Sequence, residues 1–221
     1  MLGDLISYAL LAALATALLI AAVTDLRRRE INNWLNLSVA ALAPVFWITA
    51  GLDWRAVAFQ LALALVTFVI ACILFAMRQM GGGDVKLLTA LALWFPPGQF
   101  VQLIAIMAMA GGAASVAMAV FNMNRQANEV FRNELSIVVA VIWVMAACAL
   151  IYSSAMGHPM IAPSAFSALF SAISSRWILW GLGGISLVLF LTGMRHIFRR
   201  QAGAVAIPYG VAISGAGLWV L

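Results

Sequence analysis

Three consecutive glycines, Gly81, Gly82 and Gly83, lead into Asp84, Val85 and Lys86 between two long apolar runs. Glycine frees the backbone to bend or to approach a partner closely. A carboxylate beside so much hydrocarbon is costly and marks a functional candidate; only seven acidic residues occur in 221. A Gly-rich turn with Asp84 capping the next helix would use the same residues. A second carboxylate, Asp25, closes another apolar run and widens the chemistry on offer. Two carboxylates facing each other do not readily both ionise, so such a pair holds one proton. The ionised member can take a proton from water as it attacks a carbonyl. The protonated member can hydrogen-bond the carbonyl oxygen. That is peptide hydrolysis without a Ser, Cys or Thr nucleophile and without a metal. His158 and His196 are the only histidines, and neither Cys72 nor Cys148 belongs to a CxxC pair. A His-based triad, a zinc centre and a disulfide framework therefore lack their groups, and no cofactor is expected. Each cysteine reads as a small core residue.

The elements that must position these groups are membrane helices. The chain is 66% hydrophobic and 9% charged, against about 25% charged for a soluble domain. Its apolar runs are continuous and rich in Ala and Leu, without the alternation of a β-barrel. The expected fold is an all-α polytopic integral membrane protein with about eight apolar helical segments. They cover residues 5–23, 34–50, 56–77, 87–95, 99–121, 135–152 and 177–194, and a last run to Leu221. The fourth is short and is stopped by Pro96, Pro97 and Gly98. A polar loop is expected over 24–33. A short interfacial helix is expected over 165–173. The first run, followed rather than preceded by Arg27, Arg28 and Arg29, reads as a retained helix and not a cleaved signal.

Net charge is +5, but the basic residues sit at the ends of apolar runs, which signals topology rather than nucleic-acid binding. With the N-terminus outside, ten of the twelve basic residues fall on the cytoplasmic side and only Arg55 and Arg176 outside. Asp25 and Asp84 then share the cytoplasmic side, where helix packing can bring them together.

At this point a family resemblance emerges. Asp25 with its Arg-rich follow-on and Ile31-Asn32-Asn33, then Gly81-Gly82-Gly83-Asp84-Val85-Lys86-Leu87-Leu88, resembles the type IV prepilin peptidases, GxGD-class membrane aspartic proteases. Ile207-Pro208-Tyr209-Gly210 resembles the start of their last helix. Order and spacing are most similar to the small Flp/Tad-pilus branch. The resemblance implies a catalytic pair, Asp25 and Asp84, with Gly81 and Gly83 in the two glycine positions. It implies a prepilin or pseudopilin precursor as substrate, cleaved at the cytoplasmic face of a bacterial inner membrane. Three departures stand out. Asn32 occupies the usual proline position, which loosens a loop. The zinc loop of the long members is absent, and their second, methylating activity is not implied. About 122–200 reads as an extra helical hairpin beside an expected core of about 5–121 plus 204–221, all within one membrane domain, 1–221.

Other residues admit two readings each. Lys86 either biases the proton affinity of the pair and grips lipid phosphate, or only sets topology. Asn33 either hydrogen-bonds near Asp25 or caps a helix. The arginine cluster at 27–29 either meets the substrate leader or sets orientation. His196, among basic residues, is expected to be solvated. Two rival functions use the same aspartates differently. A proton-coupled transporter would place them nearer the bilayer midplane. A non-enzymatic assembly subunit would not need them.

Overall fold

The computed structural model describes residues 2–156, 176–200 and 209–221. The expected interfacial helix at 165–173, and His158, lie outside the described residues. Among the described residues the α-helices are, in order, α1 (Leu2–Arg28), α2 (Asn33–Thr49), α3 (Trp54–Ala76), α4 (Gly82–Leu91), α5 (Pro97–Phe121), α6 (Val130–Met156), α7 (Arg176–Arg199) and α8 (Tyr209–Val220). A 3-10 turn, Ala127–Glu129, precedes α6. Local chemistry sets the starts. Asn32 caps α2 by accepting from the Trp34 N–H, and Asp53 caps α3 by accepting from Ala56. Pro97 opens α5, where its missing N–H costs nothing.

Among the described residues, four helices are long and apolar enough to cross a membrane: Gly3–Arg28, Trp54–Ala76, Pro97–Phe121 and Ala127–Ser154. The chain is an all-α multi-pass membrane protein. Helices α2 and α8 are apolar but shorter. With ten residues, α4 is only about 15 Å long and too short to span. One boundary corrects the sequence reading: the expected polar loop at 24–33 is helical up to Arg28, so Asp25 sits on α1 itself. Arg29 then turns the chain in the left-handed region, φ 56°, with its N–H on the Asp25 carbonyl at 2.8 Å. A non-glycine residue in that region is strained.

The helices form two compact units, Met1–Ala108 with Pro208–Leu221, and Met109–Ile207. In the first, α4 is packed by α2, α3 and α8, and α1 packs on α2 and α8. Lipid offers no hydrophobic drive between helices, so close packing and internal hydrogen bonds must hold them. The chain end of α4 illustrates this. The Trp47 indole N–H donates to the Leu93 carbonyl at 2.8 Å, and that of Trp94 to the Val39 carbonyl at 2.9 Å. The Gln60 amide, oriented by its partners, donates to the Phe95 and Ala92 carbonyls at 3.0 and 3.2 Å. Backbone left unpaired by such a short helix would otherwise be costly in hydrocarbon. These tryptophans do more than face lipid or fill space.

In the second unit α6 packs on α7, around a core that includes Val116, Val120, Met123, Ala140 and Ile197. Ser136 donates to the Gly193 carbonyl at 3.3 Å. His196, expected to be solvated, is instead buried with its Nε2 donating to Asn133 Oδ1 at 3.0 Å. It lies on the face of α7 turned to α6, which a count of neighbouring charges does not reveal. Cys148, expected in the core, is exposed on α6, and Cys72 is half-buried.

Candidate active site

Helical spacing brings Asp25 inward. Leu14, Leu18, Ala21 and Asp25 are all buried, and steps of four, three and four residues keep them on one face of α1. Asp84 heads a similar stripe on α4, followed by Leu87, Leu88 and Leu91. The apolar residues of each stripe pack the helix, and the carboxylate ends it. Asp25 is 6% exposed and Asp84 8%. Both line one cavity of about 330 Å³, with Arg29, Glu30, Ile31, Asn33 and the three glycines.

Each carboxylate is aimed by backbone. Asp25 Oδ2 accepts from the Val211 N–H at 3.1 Å, and the Gly210 N–H also faces it. Both donors belong to the first turn of α8, where unpaired N–H groups favour an anion. Gly210 has to be glycine for this approach. A Cβ there would lie 2.7 Å from Asp25 Oδ2 and 2.8 Å from Ile31 Cδ1. Asp84 is the third residue of α4 and accepts from the Gly81 N–H at 3.2 Å. This is half of a capping box; glycine has no side chain to supply the other half. The capping reading and the site reading of Asp84 thus describe the same side chain.

Glycines 81 and 83 have separate reasons. A Cβ on Gly81 would stand 2.9 Å from Asp84 Oδ2, and one on Gly83 3.1 Å from Ile31 Cβ. The first keeps the carboxylate close to its own helix start. The second lets the loop after α1 close over α4. Burial, and then the nearby Asp25 charge, push the Asp84 carboxyl up to about 6 despite the Gly81 bond.

Asn33 lines the cavity, but its Oδ1 accepts from the Lys86 ammonium at 2.7 Å rather than bonding Asp25. The helix cap is its neighbour Asn32. Lys86 therefore ties the start of α2 to the second turn of α4. One member of the arginine cluster, Arg29, lines the cavity. Asn36, which no local sequence pattern marks, donates its Nδ2 to the Gly83 carbonyl at 3.3 Å. Val211, whose N–H holds Asp25, is marked in the sequence only by the Pro-Tyr-Gly just before it. Among the described residues, no three His, Cys, Asp or Glu side chains converge in a way that could hold a metal ion.

Helices this apolar around two buried carboxylates define a multi-pass membrane protein with a polar cavity. The model of the type IV leader peptidase family matches residues 12–121, which include Asp25 and Asp84. The chain belongs to that family, and so is a peptidase of the type IV leader peptidase kind. No curated protein and no solved structure matches it.

Proposed function

We propose that the chain is an aspartic endopeptidase that removes the leader of Flp-like type IV prepilins at the cytoplasmic membrane face, with Asp25 and Asp84 as its catalytic pair. The observation that carries this reading is the lining of one cavity by two buried carboxylates, inside the stretch matched by the family. Asp84, raised to about 6, is the member suited to hold the proton. It hydrogen-bonds the scissile carbonyl oxygen. Asp25 takes a proton from water as the water oxygen bonds the carbonyl carbon. Collapse of the tetrahedral intermediate breaks the C–N bond, and the leaving amine takes the proton. Lys86 and Asn33 hold the rim of the cavity, and Gly81 and Gly83 shape its floor. The substrate's apolar helix lies in the bilayer, so membrane burial supplies much of its recognition.

The test is purified protein with an Flp-like prepilin, with leader removal read by gel shift. Cleavage is expected, and it is expected to survive chelators and serine- and cysteine-protease reagents. Loss of activity on metal removal, restored by zinc, would overturn the aspartic mechanism. Absence of cleavage on every Flp-like prepilin tried would overturn the substrate.

A further inference from the structure

The first unit holds a second, larger cavity of about 640 Å³. Leu11 and Leu14 of α1, Phe46 of α2, Phe59 of α3, and Trp94 are among its walls. On α1, Leu14 and Leu11 precede Asp25 by 11 and 14 residues, which is about 16 and 21 Å of helix. This cavity is therefore distinct from the carboxylate pocket. Phe59 is itself exposed, so the cavity opens on the outside of the unit. The glutamine in its wall at position 60 already has its amide on the carbonyls that end α4. What remains for an occupant is mostly hydrocarbon, including Phe46 stacked on Trp94 at 5.2 Å between ring centroids.

Depth, calibre and charge identify the occupant. Ala56 lines the cavity and follows directly on Trp54 and Arg55 at the start of a spanning helix. Trp54 is 75% exposed, and the Arg55 guanidinium lies 5.5 Å from its ring centroid. An exposed Trp beside Arg at a helix end marks headgroup level. From there the wall runs inward to residue 60, about 6–8 Å along α3. That is the course of the upper part of an acyl chain in its own leaflet. A helix about 10 Å across has a cross-section of roughly 80 Å², so 640 Å³ would take only about one and a half turns of one. A helical substrate segment or a helix of a second copy is too thick; an extended hydrocarbon chain is not. Arg55, exposed and directly before the wall residue Ala56, offers a guanidinium that phosphate can meet through paired N–H groups.

We propose that this cavity is a glycerophospholipid site, with one acyl chain between α1, α2 and α3 and the phosphate on Arg55. The chain packs against Trp94, just beyond the end of α4. The lipid thereby completes the packing behind the short helix that carries Asp84.

The test is native mass spectrometry of the full chain, delipidated in detergent and titrated with phosphatidylethanolamine or with diacylglycerol of the same acyl chains. One phosphatidylethanolamine is expected to stay bound under conditions that strip the rest. Ala56→Trp, which places an indole in the cavity on the path of the acyl chain, is expected to weaken retention at least tenfold with helicity unchanged. Arg55→Gln is expected to weaken phosphatidylethanolamine about tenfold and leave diacylglycerol untouched. Equal retention by wild type and Arg55→Gln would overturn the phosphate contact. Equal retention by Ala56→Trp, or detergent alone in every spectrum, would overturn the site. A dimer abolished by Ala56→Trp would assign the cavity to a second copy. Should Ala56→Trp lose helicity, the smaller Ala56→Leu takes its place, with the same outcomes deciding the site.

Discussion

Both units of this chain bring polar side chains together between apolar helices, and they treat them in opposite ways. In the α6–α7 unit, Glu129 Oε2 accepts from Arg200 at 3.0 and 2.6 Å, and Arg132 lies 3.4 Å from its other oxygen. Asn133 is closed on both sides, by His196 and by the Gln126 carbonyl. Opposite charges and matched donors make that cluster a clasp. In the α1–α4–α8 unit, two carboxylates face one cavity, and backbone N–H groups supply their hydrogen bonds from protein. Like charges held together in a low-dielectric site cost stability. A helix pair that needed only to pack would be better served by the clasp. The unit that keeps the costly arrangement is the one in which the family match lies for the most part, and perturbed carboxylates in a cavity are what catalysis uses.

The largest effect separates the two clusters directly. Asp25→Asn and Asp84→Asn are each expected to lower prepilin cleavage by about a thousandfold or more, with insertion retained. Asn keeps the shape and the acceptor oxygen, so misfolding is a poor account of such a loss. Glu129→Gln is expected to cleave within a fewfold of wild type and to melt earlier, since Arg200 loses its anion. Cleavage at the wild-type rate by both aspartate variants would end the peptidase reading. Loss of cleavage in Glu129→Gln as well would erase the contrast between the units.

What the sequence made legible follows the same division. Composition and run length give the membrane fold. The glycine–aspartate motif marks Asp84 as a candidate, although a helix cap would use the same residues. The resemblance supplied Asp25, although its own spacing from Leu14, Leu18 and Ala21 also puts it on the buried face of α1. Long-range hydrogen bonds were not legible. Val211 lies 186 residues beyond the Asp25 it holds, and no local pattern links them. Lys86 and Asn33, weighed separately, turn out to be each other's partner. The sequence neighbours of His196 are charged and suggest a solvated side chain, whereas the face of α7 it occupies is closed by Asn133.

Two glycines offer a smaller test. In Gly210→Ala the new methyl would stand 2.7 Å from Asp25 Oδ2. Displacing a catalytic group by about 1 Å costs on the order of a hundredfold, so kcat/KM is expected to fall between ten- and a hundredfold. In Gly193→Ala the methyl would stand 2.8 Å from Val139 Cγ2 in the α6–α7 contact. That overpacking is expected to cost about 1–3 kcal/mol of stability, read as a lower melting temperature, with kcat/KM unchanged. Equal activity losses in the two variants would mean that Gly210 acts through the fold and not through Asp25.

A gentler probe is pH. The proposed acid form of Asp84 is lost as pH rises through about 6. kcat/KM, which reports the free enzyme, is expected to decline above that value, approaching tenfold for each further step of one in pH. The limb belongs to the coupled pair rather than to one residue. A profile flat from pH 5 to 9 would mean that no proton on this pair is needed.

The smallest effect has the opposite sign from the others. Asp84 is raised from 3.8 to about 6 in the folded chain, so the folded state holds its proton more tightly than the unfolded one. Its favourable contribution is complete below about 4 and is lost as pH climbs to about 6; above that the ionised group is a constant burden. Each tenfold gain in proton affinity on folding corresponds to about 1.4 kcal/mol. Allowing for partial contact with water, the burden is on the order of 1–3 kcal/mol. Asp84→Asn removes the charge and can still accept from the Gly81 N–H. Asp84→Asn is therefore expected to melt a few degrees higher than wild type at pH 8, and the gap is expected to close at pH 4. Glu129→Gln shifts melting the other way, because there the charge is paired. A lower melting temperature for Asp84→Asn at pH 8 would show that the Asp84 carboxylate stabilises the fold, and the contrast between the two units would fail at its base.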